Sequence, residues 1–156
     1  MPSGPILIGY DGSPSADHAL REAAALLGPR HALVVVVWEA GAAYETLEVA
    51  TIPAAAIDLR TAALTDEALY EGARRTADRG ARLATELGFE AEGLSVADEA
   101  TVAKTLVRLA HERDAQAIVV GAHDHSRLEK LFLGSTSRQV LEHAPCPVLV
   151  VPPPGR

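Results

Sequence analysis

Four short runs of the chain are almost entirely apolar. They are Ile6–Tyr10, Leu33–Trp38, Ala117–Val120 and Val148–Val151. They lack the alternation of polar and apolar residues typical of a strand with one face in water, so we expect strands that are covered on both faces. Between them, apolar residues recur at helical spacing. Strands that alternate with helices in this way predict a parallel sheet with helices packed on it.

The helices have recognisable start and stop signals. Ser13 can cap a first helix, which should end at Gly28-Pro29. A second helix is expected to begin at Thr65, with Asp66 and Glu67 in its first turn, where acids match the positive end of the helix dipole. Asp98 is expected to cap a third helix, and a fourth should follow Gly134.

The remaining segments complete one domain. Phe89–Val96 predicts a fifth strand, and acids at alternate positions are typical of an edge. Residues 39–64 are expected to form an irregular excursion with a short helix, and residues 152–156 a tail. Because crossovers between parallel strands are right-handed, few topologies remain. The flavodoxin-like order and the order 3-2-1-4-5 are the leading candidates among them. We predict a single α/β domain over residues 1–156, with a doubly wound five-stranded parallel sheet and helices on both faces, and take 3-2-1-4-5 as its strand order.

Composition restricts the partners and the compartment. Fourteen basic and 21 acidic side chains give a net charge of −7, which disfavours nucleic acid and anionic membranes as partners. Cys146 is the only cysteine, so no intramolecular disulfide can form, and this fits a reducing compartment. The N-terminal sequence does not resemble a signal peptide, and no stretch has the length of a membrane span. We expect a soluble, cytoplasmic protein.

A ligand site is expected where two strands end side by side. Doubly wound sheets bind ligands at the carboxyl ends of the strands, at the point where the strand order reverses. The first strand leads to Asp11 and the fourth to Gly121, so in the predicted order both residues line one crevice. Asp11 could accept hydrogen bonds from a ribose hydroxyl or an adenine amine. The alternative is that Asp11 only organises the Asp-Gly-Ser-Pro turn.

The segment Gly134-Ser135-Thr136-Ser137 opens the last predicted helix. A helix N-terminus offers free backbone N–H groups to a phosphate, and glycine at position 121 would let a ligand approach the backbone. The alternative is that Ser135 or Ser137 caps the helix, which uses the same N–H groups. The sequence does not decide between these two roles.

The spacing Gly121-x2-Asp124-x9-Gly134-Ser135 resembles the signature of the universal stress protein family, in which a strand leads into Gly-x2-Gly-x9-Gly-(Ser/Thr). The opening strand into Asp11 and the ending over residues 143–151 match as well, whereas residues 39–64 carry no match. The resemblance implies a five-stranded parallel sheet, a homodimer and, in many members, bound ATP or another adenine nucleotide. The family's nucleotide-binding positions correspond to Asp11, Val37 on the adenine side, Val120, Gly121, Gly134, Ser135, Thr136 and Ser137.

Asp124 departs from this signature, because the nucleotide-binding branch of the family has its second glycine there. A carboxylate that faces a phosphate costs electrostatic energy unless a cation lies between them. Mg²⁺ commonly bridges a carboxylate and phosphates, so ATP with Mg²⁺ is one interpretation. The other interpretations are weaker binding, a ligand with fewer phosphates, or no nucleotide. Asp124 is therefore expected to modulate phosphate binding.

No other motif indicates a chemistry. His123, Asp124 and His125 alternate in sequence and would point to opposite sides of an extended segment, so no metal site is predicted. Cys146 lies between two prolines and is expected to be a small buried hydrophobe, and Trp38 to serve packing. No Ser-His-Asp order, carboxylate pair or Walker loop is present, so we assign no catalytic residue.

Three hypotheses follow. The first is a stress-response module that binds ATP or a related adenine nucleotide as a regulatory ligand. The second is a nucleotide-free, dimeric interaction protein of the same family, and the third, ranked last, is a slow ATPase. The sequence does not identify a protein partner. For the homodimer we expect contact through Val148–Val151, because an apolar edge strand leaves N–H and C=O groups unpaired unless a second copy covers it.

Overall fold

The computed structural model describes residues 3–39, 59–98, 100–122 and 133–154. In these ranges strands and helices alternate, as the apolar runs predict. The elements are β1 (Ile6–Gly9), α1 (Pro14–Leu27), β2 (His31–Glu39), α2 (Leu59–Glu86), β3 (Glu90–Asp98), α3 (Val102–Glu112), β4 (Ala117–Gly121), α4 (Ser135–His143) and β5 (Val148–Val151).

The five strands form one parallel sheet in the order β3-β2-β1-β4-β5, so the predicted topology is confirmed. α1 and α2 cover one face of the sheet, and α3 and α4 cover the other. The central strands are buried on both faces: Leu7 and Ile8 on β1 and Ile118 and Val119 on β4 expose none of their surface. This double burial is the reason that their sequences show no polar alternation.

The two predicted edges are also the observed ones. β3 is the edge strand on one side and β5 on the other. The acids of β3 occupy alternate positions, and Glu90 and Glu92 are exposed there. No helix in the described ranges combines the length and apolarity that a membrane crossing requires.

Two helix starts differ from the prediction. α2 begins at Leu59, six residues before Thr65, because residues 59–64 contain no glycine or proline to stop it. Asp66 and Glu67 therefore lie in the body of the helix and not in its first turn. At the other end of the predicted excursion, Glu39 belongs to β2. Residues 40–58 lie outside the described ranges.

The predicted cap of α3 is wrong as well. The side chain of Thr101 caps this helix by accepting a hydrogen bond from the Lys104 N–H at 3.1 Å. Asp98 is instead the last residue of β3. Its Oδ1 accepts from the Ala100 N–H at 2.6 Å, and this turn comes before the start of α3. For α1 the prediction is confirmed, since Ser13 accepts from the Ala16 N–H at 3.1 Å.

α2 packs closely on the sheet at two places where one partner is a glycine, Gly80 on the helix and Gly93 on β3. A Cβ at Gly80 would come within 2.7 Å of Val34 Cγ1 and 2.8 Å of the Tyr10 ring. A Cβ at Gly93 on β3 would come within 2.8 Å of the Ala77 backbone. The absence of these two Cβ atoms fixes the depth at which α2 packs on β2, β3 and Tyr10, the residue that follows β1.

Candidate functional site

A cavity of about 360 Å³ opens at the carboxyl ends of β1, β2 and β4. β1 and β4 are neighbours there, while the chain continues from β1 to β2 on the other side, so this is the reversal point of the sheet. Eight lining residues are the ones that the sequence singles out: Asp11, Val37, Val120, Gly121, Gly134, Ser135, Thr136 and Ser137. The fold brings together all eight, from four separate segments of the chain.

One end of the cavity is apolar. Val35 and Val37 lie on the same face of β2, and Val120, the residue before the last of β4, lies on the same side of the sheet. Val102 and Leu106 from the first turns of α3 complete this end. Sequence reasoning missed Val35, Val102 and Leu106. Val35 could have been predicted, because side chains alternate along β2 and Val35 therefore shares a face with Val37. Val102 and Leu106 could not, because only the three-dimensional fold places α3 against the cavity.

The other end of the cavity is the N-terminus of α4. Gly134 occupies the N-cap position, and no side chain in the described part of the protein caps the helix. Neither Ser135 nor Ser137 does so, which removes the capping alternative. Instead Ser137, which is 1% exposed, donates its hydroxyl hydrogen bond to the Gly121 carbonyl at 3.1 Å and so joins α4 to the end of β4. The first N–H groups of α4 and its positive dipole end therefore face the cavity.

The β1–α1 loop forms a further wall. Asp11 Oδ1 accepts from the Ser13 N–H at 2.9 Å, so Asp11 does organise the turn. Within the described residues its second carboxylate oxygen has no hydrogen-bond partner, and the side chain is exposed at the cavity. Gly12 has a φ of +79°, a backbone conformation that glycine adopts without the strain that a Cβ would add. Asp11 thus combines a structural role with a free acceptor.

A hydrogen-bonded network lies directly behind this loop. The Tyr10 hydroxyl donates to Asp17 Oδ1, and Arg79 of α2 donates to Asp17 Oδ2 at 2.8 Å and to the Gly12 carbonyl at 3.2 Å. Burial, together with the hydrogen bond and negative charge of Asp17, raises the pKa of Tyr10 to about 12. Tyr10 is therefore a neutral hydrogen-bond donor at any physiological pH. The sequence gives no signal for this network, because 62 residues separate Asp17 from Arg79.

Two other side chains considered from the sequence, Cys146 and Trp38, do not line the cavity. Cys146 packs against the core under α3 and α4, and burial raises the pKa of its thiol, so it remains protonated. Trp38 packs against the opposite core and against the Tyr70 ring, with 6.0 Å between ring centroids. Asp124, His123 and His125 lie outside the described ranges. Within the described ranges, no group of three His, Cys, Asp or Glu side chains could hold a metal ion.

Several solved structures share this fold and contain adenine nucleotides. A universal stress protein in complex with cAMP has a TM-score of 0.60 at 20% identity, over 97% of this chain and 98% of that one. The universal stress protein of Archaeoglobus fulgidus in complex with dAMP has a TM-score of 0.58 at 21% identity, over 97% and 99%. An Arabidopsis thaliana family protein with AMP bound has a TM-score of 0.61 at 15% identity, over 98% and 94%. At these identities the likeness shows the shared fold.

Comparisons at the sequence level identify the family. A universal stress protein of Mycolicibacterium smegmatis is 31% identical over 94% of this chain, which spans only 47% of that relative's length. A second structure from Archaeoglobus fulgidus, also a universal stress protein, superimposes with a TM-score of 0.69 at 25% identity, over 96% and 98% of the two chains. The family model described as "Universal stress protein family" matches residues 3–152. This chain therefore belongs to the universal stress protein family.

Proposed function

We propose that the cavity binds an adenine nucleotide, which acts as a regulatory ligand of a cytoplasmic stress-response protein. The observation that carries this proposal is the pairing of an apolar slot with an uncapped helix N-terminus in one cavity. Val35, Val37 and Val102 suit a flat, apolar base, and the start of α4 suits a phosphate. Asp11 lies between them with a free oxygen for a ribose hydroxyl or the adenine amine.

The relatives support the ligand class and the family name supports the role. The three ligand-bound relatives hold cAMP, dAMP and AMP, each an adenine nucleotide with one phosphate. A single phosphate also suits this chain, because Asp124 stands where the family signature has its second glycine, and a carboxylate near further phosphates would cost electrostatic energy. We therefore propose a preference for AMP-like ligands over ATP, with Mg²⁺ needed only when further phosphates are present.

Isothermal titration calorimetry tests this proposal. With AMP, cAMP, ADP and ATP as ligands, we expect heat for AMP or cAMP at micromolar affinity or weaker, which corresponds to roughly 8 kcal/mol or less. ATP should bind more weakly without Mg²⁺ and recover when Mg²⁺ is added. GMP serves as a control for base recognition. If no adenine nucleotide gives heat or a thermal shift at millimolar concentration, the nucleotide-free interaction protein becomes the better description.

We also propose a homodimer through β5, and the ladder suggests a clean test. The Ile118 N–H donates to the Pro147 carbonyl and the Ala122 N–H to the Val151 carbonyl. Since donors alternate along a parallel ladder, the Val150 N–H points away from β4, towards the open edge. Proline at such a position removes the outward donor and leaves the bonds to β4 in place.

Val150→Pro should therefore convert a dimer into a folded monomer. Light scattering measures the mass, and circular dichroism checks that the fold persists. Replacing Val151 would be less informative, because this side chain is only 5% exposed and belongs to the core. A folded Val150→Pro variant with the mass of a dimer would place the contact between copies elsewhere.

A further inference from the structure

Arg79 joins the cavity wall to the outer helix layer although it does not itself line the cavity. Its side chain leaves α2 and donates to two acceptors at once, the Gly12 carbonyl at 3.2 Å and Asp17 Oδ2 at 2.8 Å. Asp17 is well shielded, with 17% of its side chain exposed, while 52% of the Arg79 side chain is exposed. The planar guanidinium suits two acceptors because its donors are held in a fixed fork.

The loop that Arg79 holds is the one that presents Asp11. Gly12 is next to Asp11, has a φ of +79° and has no side chain that could hold it in place. The adjacent turn depends on two short-range bonds, from the Ser13 N–H to Asp11 and from the Ala16 N–H to Ser13. Arg79 adds the long-range contact that fixes this turn relative to α2.

We propose that Arg79 is a positioning residue that holds the β1–α1 loop in the conformation in which Asp11 faces the cavity. Asp17 shares the task, because it orients the guanidinium through one oxygen and accepts from the Tyr10 hydroxyl through the other. The Asp17 carboxylate thereby joins the first turn of α1 to Tyr10, which follows β1, and to Arg79 in the middle of α2. Arg79 in turn bonds to the loop at Gly12. The part of the proposal that concerns ligand affinity rests on the proposed nucleotide function.

Amide hydrogen exchange measured by NMR tests the positioning role without any ligand. In Arg79→Ala we expect the Ser13 and Ala16 amides to exchange roughly fivefold faster or more, because local opening of the loop becomes easier. Arg79→Lys should give an intermediate rate, since it keeps the charge but not the planar fork. Arg82→Ala is the matched control, because Arg82 is exposed on the same helix without a partner in the described residues. The melting temperature should fall by less than about 4 °C, because the Arg79 side chain is half exposed and Asp17 keeps its hydrogen bond to Tyr10.

Calorimetry with AMP supplies the second readout. Arg79→Ala should weaken AMP binding by about fivefold or more, because a disordered loop must be ordered again when the ligand binds. Arg82→Ala should bind as the unmodified protein does. If Arg79→Ala does not fold, Arg79→Gln, which retains an amide donor, replaces it in both experiments.

The outcomes separate this proposal from the proposed function. Equal Ser13 and Ala16 exchange rates in Arg79→Ala and Arg82→Ala would overturn the positioning role, as would a uniform acceleration across β4 and the loop alike. Faster exchange at the loop with unchanged AMP affinity would overturn the link to the ligand. If the unmodified protein binds no nucleotide, the proposed function fails, while the exchange rates still decide whether Arg79 positions the loop.

Discussion

Replacing Ser135 by aspartate is expected to stabilise the protein and to weaken nucleotide binding at the same time. Ser135 is the first residue of α4, and an acid in the first turn interacts favourably with the positive end of the helix dipole. This should raise the free energy of unfolding by about 0.3–1 kcal/mol. The same carboxylate would occupy the place proposed for the phosphate, so AMP affinity should fall by about tenfold or more, which is about 1.4 kcal/mol.

The opposite signs make this variant informative. A purely structural helix start predicts the gain in stability and no effect on AMP. Gln139→Asp is the matched control, since it adds the same charge at an exposed position beyond the first turn of the same helix. Urea denaturation gives the stability and calorimetry the affinity. Ser135→Asp with unimpaired AMP binding would show that the phosphate does not lie at the start of α4.

The second large effect concerns the depth at which α2 packs on the sheet. Gly80→Ala should lower the free energy of unfolding by about 1–3 kcal/mol, the usual cost of overpacking a core. The new Cβ would lie 2.7 Å from Val34 Cγ1 and 2.8 Å from the Tyr10 ring. Neither neighbour can yield easily, because Val34 is fully buried on a central strand and Tyr10 is held by its bond to Asp17.

Gly72→Ala in the same helix provides the comparison. Nothing lies within 4 Å of a Cβ at Gly72, so only helix propensity acts there. Alanine is favoured over glycine in a helix by about 0.5–1 kcal/mol, and this substitution should therefore stabilise the protein. Urea denaturation of both variants should give changes of opposite sign. If both variants gained stability equally, the close contact of α2 with Val34 and Tyr10 would be wrong.

The strands of the sheet could be predicted from the sequence because strands that are buried on both faces consist of apolar residues without polar alternation. The pattern predicts two strands, Ile6–Gly9 and Val148–Val151, because each is a short apolar run without polar alternation and is bounded by turn signals. The handedness of the crossovers reduced the possible strand orders to a few, and the observed order is one of them. The positions of Asp11 and Gly121 followed in turn, because the ends of adjacent parallel strands meet at one edge of the sheet.

The parts that escaped prediction depend on contacts between distant segments or on local competition. Arg79 and Asp17 meet only because α2 packs beside α1, and no local pattern records this contact. Val102 joins the cavity for a similar reason, through the placement of α3. Near the start of α3, both Asp98 and Thr101 are residue types that cap helices. Asp98 is still part of β3, so the helix begins later and Thr101 is its cap.

The most direct test of nucleotide binding in this cavity is a titration of the isotope-labelled protein with AMP, followed through its backbone amide NMR signals. Binding as proposed should shift most strongly the amides of residues 134–137 at the phosphate end and of residues 9–13 at the loop. The amide signals of Val35 and Val37 should shift because of the ring current of the base. The amide signals at the amino ends of the strands, such as that of Ala117, should stay unchanged. Shifts confined to other surfaces, or none at millimolar AMP, would contradict the proposed site.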